Sequence, residues 1–207
     1  MKKIFERRIV PIAVIERADD AVPVAEALMA GGLDIIEVTF RTADAEKAIQ
    51  RIVKALPDML VGAGTILSVD QVQRAVDAGA KFGVSPGLND RVLTRTLEIG
   101  LPFIPGVLTP SEVERALERG LKLLKLFPAE QAGGLNYLKA LAGPYEHTGV
   151  KFIPLGGINL TNASDYLALP IVGAIGGSWL VDKRVISARN WKEITVRAQE
   201  AVKTLRQ

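Results

Sequence analysis

The chain has 207 residues, 48% of them hydrophobic, which fits one compact domain spanning residues 1–207. Its 26 basic and 23 acidic residues give a net charge of +3 and are spread along the chain. This spread disfavours nucleic-acid binding, which needs a clustered basic face. The absence of cysteine excludes disulfides, zinc–thiolate sites and cysteine nucleophiles.

The first apolar run, residues 9–15, is too short to cross a bilayer and is flanked by Glu6 and Glu16. We therefore expect neither a signal peptide nor a membrane span, no membrane partner, and a cytoplasmic location. The mildly positive charge suits an anionic small-molecule substrate.

A repeated unit follows along the chain: an amphipathic helix, a glycine stop and a short apolar strand. It recurs as ALMAGGLDIIEVTF, AVDAGAKFGVSPG, TLEIGLPFIPGVL and ALERGLKLLKLFPAE. Glycine just past a helix accepts the left-handed conformation that ends it. Helix starts are predicted at Ser68 and at Thr109, where TPSE forms a capping box with Glu112.

Strands alternating with helices indicate parallel βαβ units. Eight strands are predicted, at 9–15, 34–40, 60–66, 81–85, 102–107, 122–127, 151–155 and 171–176. Eight such units favour an α/β fold of the (β/α)8 TIM-barrel type, in a single domain. The alternative is a doubly wound open sheet, but the segment VIERADD stands where its G-x-G-x-x-G turn would be.

The sixth predicted strand contains a lysine within an apolar run. Because strand side chains alternate, Leu123, Lys125 and Phe127 share one face, and the intervening leucines share the other. If those leucines pack beneath helices, Lys125 points into the barrel. Desolvation there lowers its pKa and leaves an amine able to attack a carbonyl. The alternative is a structural lysine held in an ion pair.

Glu37 lies near the end of the second strand, on the same face as Ile35 and Thr39. Active residues of such barrels come from the carboxyl ends of the strands, where a carboxylate can shuttle protons. Ion pairing with Lys125 or Arg41 is the structural alternative.

Two more polar side chains follow the second and third strands. Arg41 could grip a substrate carboxylate bidentately, although loop arginines are usually solvated. Thr65 could add a hydroxyl to the same carboxylate, with a helix cap as its alternative role.

Glycine pairs close the last two strands, in PLGGI and IGGSW. Glycines let backbone N–H groups approach phosphate oxygens, and barrels often bind phosphate at this position. Tight turns alone are the alternative. The sequence gives little support for a metal site. The single histidine, His147, lies in a polar loop, and no acidic residues cluster to bind Mg²⁺.

Taken together, these residues resemble the 2-keto-3-deoxy-6-phosphogluconate (KDPG) aldolase family, which includes the bifunctional 4-hydroxy-2-oxoglutarate (KHG) aldolases. The resemblance runs from about Ile9 to beyond Val181. Its motifs are EVTFRT at 37–42, GAGT at 62–65, SPG at 85–87, KLFPAE at 125–130, GGI at 156–158 and GGSW at 176–179.

The resemblance implies a class I aldolase on a (β/α)8 barrel, a homotrimer that uses no metal and no organic cofactor. Lys125 would form the Schiff base and Glu37 would shuttle protons, while Arg41 and Thr65 would hold the pyruvyl carboxylate. The remaining implied site residues are Pro86 and Phe127 for the pyruvyl pocket, and Gly156, Gly157, Gly177, Ser178 and Arg17 for the phosphate.

The expected reaction is the reversible cleavage of KDPG to pyruvate and glyceraldehyde 3-phosphate, with KHG cleavage to pyruvate and glyoxylate as a second activity. One departure from the family is Leu155, which replaces a usual threonine. This replacement removes a hydroxyl near the acceptor half of the substrate and so bears on substrate specificity and stereochemical preference. Leu126 replaces a usual phenylalanine but faces the helices.

Three alternatives stay open. They are an aldolase for the phosphogalactonate epimer, another phosphate-binding barrel isomerase, epimerase or synthase without an imine, and a non-catalytic phosphometabolite-binding scaffold.

Overall fold

The computed structural model describes residues 1–205. The helices are α1 (Lys2–Arg7), α2 (Ala21–Ala30), α3 (Ala45–Ala55), α4 (Val69–Asp77), α5 (Asp90–Glu98), α6 (Pro110–Glu118), α7 (Gly134–Ala142), α8 (Leu160–Leu167), α9 (Lys183–Ser187) and α10 (Trp191–Leu205). The strands are β1 (Ile9–Ala13), β2 (Ile35–Thr39), β3 (Leu60–Gly64), β4 (Phe82–Val84), β5 (Phe103–Ile104), β6 (Gly106–Val107), β7 (Leu123–Leu126), β8 (Lys151–Pro154) and β9 (Ile175–Gly177). Short 3₁₀ turns cover Ala18–Asp20, Gly143–Thr148 and Trp179–Val181.

Helix boundaries follow the capping signals of the sequence. The Thr109 N–H donates to the Glu112 carboxylate at 2.8 Å, and the Glu112 N–H donates to the Thr109 hydroxyl at 3.4 Å. These two bonds form the predicted capping box at the start of α6. Ser68 likewise accepts a hydrogen bond from the Gln71 N–H at 3.2 Å and caps α4.

The strands pair in parallel and in chain order. The larger sheet has the order β5-β4-β3-β2-β1-β9, so the last strand lies beside the first, and the smaller sheet has the order β6-β7-β8. The strand order does not reverse, which separates this fold from a doubly wound sheet. The predicted α/β fold with parallel strands is confirmed and the sheet is curled, but its strands form two hydrogen-bonded sheets and not the predicted closed barrel.

The two sheets meet at two places. Pro105 divides the predicted fifth strand into β5 and β6, because proline has no N–H for the ladder. Its carbonyl still accepts a hydrogen bond from the Lys125 N–H at 2.9 Å. At the other boundary, Val172 forms a parallel bridge with Phe152 of β8, and regular pairing with β1 begins only at Ile175.

Alternation along the strands separates two apolar layers. Val10, Ile35 and Leu123 belong to an inner cluster enclosed by the curled sheet. Leu124 and Leu126 belong to the larger layer between sheet and helices. The predicted direction of the sixth strand is therefore confirmed, because its leucines pack under the helices and its odd-numbered residues point inward.

Helix α1 was not predicted, because its six residues are too short to show a helical period. It contributes Ile4, which is fully buried in the inner cluster. In the described part of the chain, no helix combines the length and the apolar character that crossing a bilayer requires. The cytoplasmic location stays a prediction.

Candidate active site

A cleft of about 800 Å³ opens where the parallel strands end. All of the predicted site residues except Arg17 line it, namely Glu37, Arg41, Thr65, Pro86, Lys125, Phe127, Gly156, Gly157, Gly177 and Ser178. They come from six different strand ends, so only the curled sheet brings them together.

Lys125 is the third residue of β7, where it pairs with Gly106 on one side and Ile153 on the other. Its side chain points into the cleft and the residue is only 6% exposed. Burial lowers the pKa of the ammonium below its ordinary value, and the Glu37 carboxylate partly opposes that shift. The Lys125 Nζ also lies 5.0 Å from the centroid of the Phe127 ring.

Glu37 occupies the middle of β2, paired with Ile12 and Gly62, and is 2% exposed. Burial raises the pKa of its carboxyl, and the Lys125 charge partly opposes this shift. Within residues 1–205, no ion pair at 4.0 Å or less joins Glu37 to Lys125 or Arg41. The structural alternative for Glu37, a direct ion pair, is therefore absent. Glu37, with a raised pKa, and Lys125, with a lowered pKa, line the same cleft.

Gly64 makes room for the Glu37 side chain. A Cβ on Gly64 would lie 2.7 Å from the Glu37 Cδ and closer still to Oε1. A side chain at position 64 would therefore require the Glu37 carboxylate to move. The motif GAGT contained this residue, but nothing in the local pattern indicated that its neighbour across the sheet is Glu37.

Arg41 and Thr65 lie at the mouth of the cleft beyond β2 and β3. Arg41 is exposed, and its guanidinium makes no ion pair with another side chain of residues 1–205, so it is available to an anion. Thr65 has a φ of 57°, an uncommon left-handed conformation for a threonine. Such conformations concentrate at ligand sites, where the surrounding structure holds them.

Pro86 and Phe127 line the apolar side of the cleft. The Ser85 hydroxyl donates a hydrogen bond to the Gly87 carbonyl at 2.7 Å, which holds the turn around Pro86. Phe127 is 37% exposed, so part of its ring faces the open cleft. The pair provides an apolar wall close to the Lys125 amine.

Gly156 and Gly157 follow β8 with φ angles of 93° and 81°, which side-chain-bearing residues rarely adopt. Within residues 1–205, their N–H groups donate no backbone hydrogen bond. The Glu130 N–H donates to the Gly156 carbonyl at 3.0 Å and so fixes the turn. Both glycines line the cleft, and N–H groups without a backbone acceptor are suited to bind phosphate oxygens.

A partly buried hydrogen bond beside the turn was not predicted from the sequence. Tyr166 of α8 is fully buried and its hydroxyl donates to the Glu130 carboxylate. Burial, together with that carboxylate, raises the pKa of Tyr166. Glu130 in turn contacts Gly157, since a Cβ on Gly157 would lie 2.6 Å from the Glu130 Cβ.

Arg17 does not line the cleft. Its guanidinium lies 3.7 Å from the Asp20 carboxylate, which Arg189 also approaches at 3.1 Å. The predicted contribution of Arg17 to phosphate binding is not supported by this position.

Lys183 lines the cleft but was not predicted. Its ammonium forms an ion pair with Glu16, at 2.7 Å, across the mouth of the cleft. The lysine follows the last strand in a polar segment that has no motif, so no local signal could have identified it.

Metal binding finds no support among the described residues 1–205, where no group of three or more His, Asp or Glu side chains is placed to hold an ion. His147 is exposed on the 3₁₀ turn at Gly143–Thr148, outside the cleft. The expectation of a reaction without metal or cofactor stays a prediction.

Comparison with known proteins places this site in a family. The family model described as KDPG and KHG aldolase matches residues 1–197. The 2-dehydro-3-deoxy-phosphogluconate aldolase of Treponema pallidum is 48% identical over 195 residues, covering 94% of this chain and 92% of that protein.

Two solved structures have the same fold. The KDPG aldolase of Legionella pneumophila, with pyruvate captured as a covalent carbinolamine, has a TM-score of 0.92 and 42% identity, covering 96% of both chains. The KDPG aldolase of Zymomonas mobilis, with 3-phosphoglycerate, has a TM-score of 0.88 and 39% identity, covering 97% of this chain and 93% of that one. The chain belongs to the KDPG and KHG aldolase family.

Proposed function

We propose that this protein is a class I aldolase that cleaves KDPG reversibly to pyruvate and glyceraldehyde 3-phosphate. One observation carries the proposal: a buried lysine of lowered pKa and a buried glutamate of raised pKa face the same cleft without forming an ion pair. A lowered pKa favours the neutral form of the amine, which is the nucleophile for a carbonyl carbon.

Lys125 is the nucleophile in this scheme. Its neutral amine attacks the C2 carbonyl, and loss of water from the carbinolamine gives a protonated imine. Arg41 and Thr65 hold the neighbouring carboxylate, which orients C2 toward the amine. The aldolase name of the Treponema relative, and the covalent carbinolamine of pyruvate in the Legionella structure, support this assignment.

Glu37 moves the protons. The carboxylate takes the proton of the C4 hydroxyl while the C3–C4 bond breaks, and the electron pair of that bond flows into the imine. Glyceraldehyde 3-phosphate leaves, and the enamine that remains is protonated at C3. Water then hydrolyses the pyruvyl imine and restores Lys125. A carboxyl of raised pKa suits both directions of proton transfer.

The phosphate of the substrate binds at the glycine turns, in this proposal. The amides of Gly156 and Gly157 and the residues Gly177 and Ser178 supply neutral donors at the end of the cleft formed by β8 and β9. The Zymomonas structure with 3-phosphoglycerate supports a phosphorylated three-carbon ligand in a relative.

Borohydride reduction in the presence of pyruvate tests the imine. We expect intact-protein mass spectrometry to show one reduced pyruvyl adduct, and peptide mapping to locate it on Lys125. Lys125→Ala should give no adduct and no turnover, whereas Glu37→Gln should retain adduct formation better than turnover. Full activity of Lys125→Ala would contradict the proposal, and inertness to trapping would favour an isomerase or synthase.

KHG cleavage to pyruvate and glyoxylate is the second candidate activity, supported by the description of the matching family model. Steady-state rates on KDPG, its galactonate epimer and KHG separate the candidates. Comparable rates with and without the phosphate would contradict the proposed glycine–serine site.

Two features of the architecture also belong to this proposal. A single closed (β/α)8 barrel is supported by the Pro105 carbonyl contact and by the bridge between Phe152 and Val172.

A homotrimer is implied by the family resemblance, and the exposed apolar side chains of Leu67, Val69 and Leu97 offer a surface for subunit contact. Light scattering in solution tests the trimer, and an experimental structure tests the barrel.

A further inference from the structure

We propose that Lys183 selects phosphorylated substrates. In the free protein Glu16 holds the Lys183 ammonium at the mouth of the cleft, and the substrate phosphate replaces Glu16 as the partner of that ammonium. This inference rests on the proposed function, and it identifies Lys183 as the positively charged group that binds the substrate phosphate. The ion pair between the two side chains is 2.7 Å long, and both residues line the cleft.

The topology places this pair beside the glycine turns. β1 runs next to β9 with Pro11 opposite Gly177, so the segment after β1 that carries Glu16 begins beside Ser178. Lys183 follows Ser178 after one short 3₁₀ turn, Trp179–Val181. The pair therefore lies at the phosphate end of the cleft.

Charge balance assigns the lysine a role at that end. The glycine amides and the Ser178 hydroxyl are neutral donors, whereas a phosphate monoester carries nearly two negative charges at neutral pH. Among the described residues 1–205, the cations lining the cleft are Arg41, Lys125 and Lys183. Arg41 and Lys125 belong to the pyruvyl end, which leaves Lys183 for the phosphate.

The neighbouring charges permit the exchange. The side chains of Lys183 and Glu16 are 65% and 51% exposed, and exposed ion pairs contribute little to stability. Asp182 does not compete for the lysine, because its carboxylate accepts from Arg197 at 2.7 Å and from the Arg184 N–H at 2.9 Å. An ammonium released from Glu16 can thus pair with a phosphate oxygen.

Lys183→Met tests this directly, with KDPG compared against its unphosphorylated parent, 2-keto-3-deoxygluconate. We expect the KM for KDPG to rise by about tenfold, the usual size for a lost charged hydrogen bond. The KM for the unphosphorylated substrate should stay the same, and inhibition by inorganic phosphate should weaken in parallel. Equal changes for both substrates, or none for either, would overturn the inference.

Arg184→Met is the matched control, since it removes the same charge from the next residue, which does not line the cleft. It should leave the ratio of the two KM values as in the wild type. Lys183→Arg should restore most of the preference for KDPG. A control variant that changes the ratio as much as Lys183→Met would show a general effect of net charge and would overturn the inference.

Glu16→Gln tests the exchange itself. Removing the competing carboxylate should lower the KM for KDPG by about two- to threefold, and a tenfold increase would show that the ion pair only supports the structure. Pyruvate trapping separates the two proposals. Trapping of Lys183→Met with an unchanged KM overturns this inference alone, whereas a wild-type protein that is not trapped overturns the proposed function as well.

Discussion

The Glu37 carboxylate occupies the space that a side chain on Gly64 would need. The two residues lie on neighbouring strands, with Glu37 paired to Gly62 and Thr39 to Gly64. The carboxylate group leans along its strand over the Gly64 backbone, with Cδ 2.7 Å from the position of a Cβ. A glycine at position 64 therefore leaves the space that the Glu37 carboxylate occupies.

Gly64→Ala should displace the Glu37 carboxylate and leave Lys125 in place. We expect kcat to fall by about 10- to 100-fold, since general acid–base catalysis contributes about that much or more. Pyruvate trapping on Lys125 should persist. Gly143→Ala is the control, because a Cβ there meets nothing within 4 Å. Loss of trapping and turnover together would indicate a general disruption of the cleft.

The pH dependence of trapping should reveal the coupling between Lys125 and Glu37. Burial lowers the pKa of Lys125 from its ordinary 10.5, so adduct formation should reach half its maximal rate below pH 10.5. The Glu37 carboxylate raises that pKa, so Glu37→Gln should move the midpoint to still lower pH. The measurement is the yield of cyanoborohydride-reduced pyruvate adduct against pH.

The control for this experiment is Glu146→Gln, which removes an exposed carboxylate outside the cleft. Its midpoint should match the wild type. A midpoint that moves to higher pH in Glu37→Gln would contradict the electrostatic coupling between the two groups.

Tyr166→Phe should loosen the glycine turn at the phosphate end. The substitution removes the Tyr166 hydroxyl that donates to the Glu130 carboxylate, at a cost of about 0.5–1.5 kcal/mol in the free energy of unfolding. We expect a several-fold higher KM for KDPG and normal pyruvate trapping. Tyr137→Phe, which removes a hydroxyl bonded to the Leu108 carbonyl, should change stability without changing that KM.

Asp34 should link stability to acid pH. Its carboxylate accepts hydrogen bonds from Arg7 at 2.6 and 3.1 Å and lies 3.0 Å from Lys3, which fastens α1 to the start of β2. The Arg7 bond holds the pKa of Asp34 at about 2, below its ordinary 3.8. A lowered pKa stabilises the fold above pH 3.8, and the effect is lost as the pH falls toward 2.

Asp34→Asn should therefore lower the free energy of unfolding by about 1–2 kcal/mol at pH 7 and by much less at pH 2. Urea unfolding at the two pH values measures the difference. Asp165→Asn, an exposed position on α8, should have no effect at either pH. A destabilisation of Asp34→Asn that is the same at both would contradict the linkage.

Several features of the fold could be predicted because their causes are local. The capping box at Thr109 and the alternation around Lys125 depend only on neighbouring residues, and the structure confirms both. The strand break at Pro105 is local as well, but it was missed because the apolar run continues through it. Helix α1 was missed because six residues show no period.

The sequence by itself determined that parallel strands alternate with helices and that Lys125 and Glu37 point away from the helical layer. Those properties follow from backbone sterics and side-chain periodicity over a few residues. Only the tertiary structure decided that the Glu37 carboxylate lies over Gly64, that Arg17 stays outside the lining of the cleft, and that Lys183 meets Glu16. These contacts join residues distant in the chain, and their geometry depends on how the curled sheet brings strand ends together.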